Sequence, residues 1–150
     1  MASHTFGALT LDLPGEWEDQ TILTFVKRPK ARMATAAVQD MNRNLIISRA
    51  WADGTFDVHD LAATHLEGLK AAIPDLEVLK EDTAEIAGAP ALLREVRFAT
   101  PSSGIAQQLH VFVVRGELAL TCVGTGSAGM AFQWLRKEML GILESLQVQA

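Results

Sequence analysis

Hydrophobic positions along the chain follow two alternating rhythms. Gln20–Lys27 (QTILTFVK), Asn44–Trp51 (NLIISRAW), Leu76–Glu85, Ala89–Ala99, Ile105–Val114 and Leu118–Val123 are short runs rich in β-branched and aliphatic residues. That composition suits a pleated, half-buried surface and predicts strands. A looser alternation over Phe6–Leu13 stops at Leu13-Pro14-Gly15, a turn signal. Two other segments carry a helical period. In Asp57–Ile73, Val58, Leu61, Ala62, Leu66, Leu69, Ala72 and Ile73 recur at three- and four-residue steps, which stack on one face at about 100° per residue. Asp57 or Thr55 can cap its start, and Pro74 stops it. In Met130–Leu146, Phe132, Leu135, Met139, Ile142, Leu143 and Leu146 share a face, away from Gln133, Arg136, Lys137 and Glu144.

The links between these elements are mostly short. Arg115-Gly116-Glu117 separates the last two strands and Ala87-Gly88 the two before them. A Gly inside such a link is a hairpin signal, because it tolerates the positive φ of tight turns. Ala52–Thr55 and Thr100–Gly104 are turns, and Gly126–Gly129 leads into the last helix. Glu16–Asp19 reads as a short helical or turn segment with Trp17 folded back on the core. Lys30–Arg43 permits a helical turn, a strand edge or a loop. The order strands, helix, four strands, helix, with hairpin links, predicts one α+β domain over residues 1–150. It is built as an antiparallel sheet of about six to seven strands with two main flanking helices.

Strand alternation divides the side chains between two faces. Leu23 and Phe25, Leu45 and Ile47, Leu109, Val111 and Val113, and Leu118, Leu120 and Cys122 form an apolar set, expected under both helices. The opposite set includes Ile22, Thr24, Val26, Ile46, Ser48, Gln108, His110 and Phe112. This second face is too apolar for open solvent and too polar for a plain core. It therefore predicts a cover: a ligand, a partner segment, a symmetry mate, or the chain's own Arg28–Arg43 stretch.

The chain has 150 residues, 49 % of them hydrophobic, and a formal net charge of −5. That charge argues against a nucleic-acid partner. Lys27–Arg32 is its one basic cluster, read as a solvated loop or a partner contact. The one cysteine, Cys122, cannot form an internal disulfide and reads as a buried, inert thiol in a reducing compartment. No signal-peptide pattern and no run of apolar residues long enough to span a membrane occurs, so the expectation is a cytoplasmic protein without membrane insertion of its own.

The sequence carries no recognisable catalytic set, metal site or cofactor site. His59 and His65 stand six residues apart, roughly 240° around a helix, and so cannot share a metal. His110 is expected to be a hydrogen-bonded sheet histidine. Gly124–Gly129 is similar to a phosphate loop but lacks its lysine, and reads as a flexible strand-to-helix link. Ser102-Ser103-Gly104 has no nucleophile-elbow pattern. An enzyme is not expected.

Three groups of residues together resemble the DcrB-related, PsbP-like family, which includes the Eag-type chaperones of type VI secretion. They are L-x-L-P-G-x-W-x-D-Q-[ST] at Leu11–Thr21, N-L-[IV]-[IV]-S-R at Asn44–Arg49, and the later strands. In those strands the matching residues are Ile86-Ala87-Gly88-Ala89-Pro90-Ala91, Gln108 with Val111-Phe112-Val113, and Leu118–Thr121. The resemblance covers about Leu11 to Leu146 and departs at Arg28–Arg43 and at Gln107-Gln108. It implies a twisted PsbP-like sheet and a homodimeric chaperone or adaptor that shields the N-terminal transmembrane region of a secreted effector. Ile22, Val26, Ile46 and Phe112 would then give apolar contact, and Thr24, Ser48, Gln108 and His110 would hydrogen-bond the client. Two alternatives use the same face: a carrier of a small molecule or lipid, and a plain homodimer.

Overall fold

The structure, a computed structural model, describes residues 2–6, 9–14, 22–26, 44–51, 57–101 and 104–147. The expectations for Glu16–Asp19 with Trp17, for Lys27–Arg43 and for the turn after Trp51 lie outside the described residues.

Strands β1 (Ala2–Phe6) and β2 (Leu9–Leu13) form a two-stranded antiparallel sheet. The loose alternation therefore splits into a paired hairpin. The main sheet holds β3 (Ile22–Val26), β4 (Asn44–Trp51), β5 (Glu77–Ile86), β6 (Ala89–Thr100), β7 (Gly104–Arg115) and β8 (Leu118–Ser127). Its order is β3-β4-β8-β7-β6-β5, and every pairing is antiparallel. Sequence-adjacent β5 to β8 form a meander, and β4 adds to β8 across a long separation in sequence. The fold is α+β, as expected from the hairpin links.

The turns follow from their residues. Arg115 pairs with Leu118 around a two-residue loop, and Gly116 takes φ 61° there, a conformation that would strain a side chain with a Cβ. Helix α1 (Val58–Ala72) begins at a capping box. The Asp60 amide donates to Asp57 Oδ1 and the Asp57 amide to Asp60 Oδ2, each at 3.0 Å. The amide donated by Asp60 holds the Asp57 carboxyl below its ordinary range. Helix α2 (Met130–Glu144) follows β8 after a tight Ala128-Gly129 turn.

The two helices lie on opposite faces, which corrects the expectation that both cover the same one. Phe132, Leu135, Met139 and Leu143 of α2 pack on Leu45, Leu93, Leu109, Val111, Val113, Leu120 and Cys122. Arg136 Nε donates to buried Glu95 Oε2 at 3.2 Å at the side of that core. Val58 and Ala62 of α1 instead pack on Leu92 and Phe112, which point the other way. Topology supplies the reason: α1 must carry the chain from β4 to the far edge at β5, across the face that α2 leaves free.

Gly124–Ser127, read as a flexible link, belongs to β8. A Cβ on Gly124 would collide with the Met139 thioether, so the missing side chain lets α2 sit close to the sheet. Met139 is buried and has little room to yield. Gly124→Ala is expected to lower unfolding stability by about 1–3 kcal/mol, read from the denaturant midpoint. A double-mutant cycle with Met139→Val should show coupling of more than about 0.5 kcal/mol, because the shorter side chain makes room.

Candidate functional site

Register places all eight sequence-derived site residues on one face, in three transverse rows. Val26, Asn44, Thr125, Gln108 and Val96 form the first, and Thr24, Ile46, Val123, His110 and Arg94 the second. Ile22, Ser48, Thr121, Phe112 and Leu92 form the third. The face is one surface, but it is not uniformly open. Ile22, Thr24 and Val26 are exposed, and Ile46, Ser48 and Gln108 are half-buried. His110 and Phe112 are 0 % exposed, because α1 lies on them. Their assignment to partner contact is corrected: in this structure their neighbour is the chain's own helix.

Beneath α1 the polar groups form a connected cluster. Arg94 is buried; its Nε donates to Glu81 Oε1 at 2.7 Å and its Nη1 to the Ala62 carbonyl at 2.9 Å. The guanidinium carbon lies 5.4 Å from the Phe112 ring centroid, within cation–π reach. His65 of α1 stacks edge-on to His110 and Phe112, at centroid distances of 4.8 and 5.2 Å. His110 Nε2 donates to Gln108 Oε1 at 2.8 Å, and Gln108 Nε2 donates to Thr125 Oγ1 at 3.1 Å. His110 is thus the hydrogen-bonded sheet histidine expected from sequence. Burial first, then the neighbouring His65 and Arg94, press its pKa down to about 3. Burial and Arg94 lower His65 as well. The cluster is a neutral-imidazole clamp between helix and sheet. On the other face, burial pushes the Cys122 thiol up to about 12, as fits an inert core cysteine.

Open apolar ground also lies where the sequence placed core. Leu23 and Phe25 point to the α2 side yet are 41 % and 53 % exposed. Together with Leu45, Ile47, Leu135, Met139 and Ile142 they line a cleft of about 540 Å³ between β3 and α2. Counting strands against helices could have revealed it. Six strands at about 4.8 Å spacing span roughly 24 Å, while one helix is about 10–12 Å wide. A helix centred on β8 cannot reach over β3.

Neither helix among the described residues is long and apolar enough to cross a membrane. The DcrB family profile matches residues 9–145. Among solved structures, the chain is similar to PA94 of Pseudomonas aeruginosa, a protein of unknown function, with a TM-score of 0.78 and 19 % identity over 100 % of this chain and 98 % of that one. It is also similar to PsbP (CyanoP) of the cyanobacterium Synechocystis sp. PCC 6803, with a TM-score of 0.51 and 10 % identity over 90 % of this chain and 96 % of that one. At these identities both likenesses concern the fold alone. No curated protein matches the chain.

The depressed imidazoles set the direction of a pH effect. Neutral His110 and His65 fold readily, whereas the unfolded chain binds protons near the ordinary histidine pKa of 6.5. Their contribution is therefore complete above pH 6.5 and is lost as pH falls, for His110 until about pH 3. Urea unfolding should show stability falling below pH 6.5, with a limiting slope of about 1.4 kcal/mol per pH unit from His110 and a contribution of the same sign from His65. His110→Leu should flatten the slope between pH 6 and 5; an unchanged slope would contradict the clamp.

Proposed function

The chain belongs to the DcrB family, and from that premise we propose that it is a chaperone or adaptor that shields an apolar transmembrane segment of a secreted effector. In this reading it acts by binding rather than catalysis. It works in the cytoplasm, as a homodimer, and its client is a type VI secretion effector, as the sequence resemblance implies. The observation that carries the reading is β3. This five-residue strand exposes large apolar side chains on both faces, with Ile22 at 62 % and Val26 at 55 % on one, and Leu23 and Phe25 on the other. An apolar helix lying across the cleft would insert side chains between Phe25 and Ile142, and small residues along it would permit close approach. On the opposite face, Ile22, Val26 and Ile46 offer further apolar contact, with Thr24, Ser48 and Gln108 as hydrogen-bonding neighbours.

Co-expression with the N-terminal apolar segment of an effector encoded beside this protein is expected to yield a soluble complex. Phe25 is half-exposed, so Phe25→Ala should leave the circular dichroism unchanged while weakening the complex about tenfold or more. Failure to solubilise any such segment would sink the reading.

A second reading, a carrier of a small apolar ligand, is favoured by the cleft itself. Its volume of about 540 Å³ falls within the usual range for small-molecule sites. Its lining is almost wholly apolar, with Leu23, Phe25, Leu45, Ile47 and Ile142 among the contributors, which suits an apolar ligand. Native mass spectrometry of the purified protein separates the two: a carrier retains a bound small molecule, and a chaperone without client does not.

A further inference from the structure

The two edges of the main sheet are built differently. At one edge, β5 carries Glu77, Lys80, Glu81, Asp82 and Glu85 among its ten residues, and its register slips between Val78 and Lys80. Charges and an irregularity are the usual devices that stop an edge from taking another strand. At the other edge β3, ILTFV, has neither charge nor proline, and its pairing with β4 runs without a register shift. Among the described residues it pairs with β4 alone, and an edge of that composition can take another strand through backbone hydrogen bonds.

We propose that β3 pairs antiparallel with β3 of a second copy of this chain, about a two-fold axis through Thr24, joining the two main sheets into one. This rests on the homodimeric binding role proposed above and names the strand that makes the dimer. The occupant is specified by the strand's own order of side chains. Antiparallel self-pairing about Thr24 sets Thr24 against Thr24 of the partner subunit, Leu23 against the partner's Phe25, and Ile22 against the partner's Val26. Hydroxyl meets hydroxyl, aromatic meets aliphatic, and β-branched meets β-branched, all favourable cross-strand pairs. A one-residue slip would set Thr24 against an apolar residue and turn each apolar set toward the wrong face. The axis stands perpendicular to the sheet, so both α2 helices lie on one side. Each Leu23 and Phe25 lines its own cleft, and pairing them across the axis merges two clefts into one trough, longer than either protomer offers.

The test is a charge exchange at the axis. Wild-type protein is expected to sediment as a dimer. Thr24 is exposed, so Thr24→Lys and Thr24→Glu should each fold by circular dichroism but sediment as monomers, since like charges directly opposite repel. Mixing the two variants should restore a one-to-one heterodimer. Thr24→Cys, in a chain whose one native cysteine is buried, should give a disulfide-linked dimer under mild oxidation. This keeps the question answerable if a charged variant misfolds. A wild-type monomer, charged variants that remain dimers, or no crosslink from a folded Thr24→Cys protein would each overturn the pairing. The effector co-expression is read separately on wild-type protein. A monomer that still solubilises the segment refutes the β3 dimer and leaves the chaperone reading. A β3 dimer that solubilises none does the reverse.

Discussion

A helix is narrower than a six-stranded sheet, and that mismatch governs this molecule. With one helix for each face, each covers only the strands it crosses. Helix α2 settles on β8 and α1 on β6 and β7. What remains is the β3–β4 end, where apolar side chains emerge on both faces with no helix over them among the described residues. The core thus stops short of an edge whose residues still have core character. The exposed apolar ground and the cleft between β3 and α2 are two views of that same shortfall.

The other end of the sheet is closed by different means. Helix α1 fully buries few apolar residues of its own, Val58 and Ala62, and covers a buried cation, Arg94 of β6. Arg94 is costly to remove from water unless its donors are satisfied; Glu81 and the Ala62 carbonyl accept from it, and Phe112 faces its charge. Burial first, and then the nearby Arg94 charge, keep the adjacent imidazoles neutral. Closure at this end is specific and depends on protonation, whereas closure around α2 is mainly apolar, with the Arg136–Glu95 pair at its side.

Much of this was legible in the sequence, and the gaps have physical causes. Period-two runs gave the six strands of the main sheet, and the capping residues of α1 and its Pro74 stop gave that helix to within a residue. Face assignment by alternation was correct as well: the eight chosen residues do lie side by side. Alternation is a local property, however, and cannot say which face a helix crosses. For that reason His110 and Phe112, placed on the open face, lie beneath α1. Leu23 and Phe25, placed in the core, lie at its frayed margin. Gly124 misled for a related reason. A run of glycines suggests a link, but here the glycine is shaped by a methionine from an element that local pattern cannot see.

Sheet order also has a consequence in time. Strands β5 to β8 follow one another in the chain and pair as neighbours, so their contacts close through short loops. Strand β4 meets β8 only across the separation from Ile46 to Val123. During synthesis from the N-terminus, β3 and β4 leave the ribosome before β5 to β8 and wait for the strand that joins them to the main sheet. Within the main sheet, the strands made earliest are the ones joined to it last. For that interval its most apolar edge is itself a segment without shelter, the same condition proposed for the client it would receive.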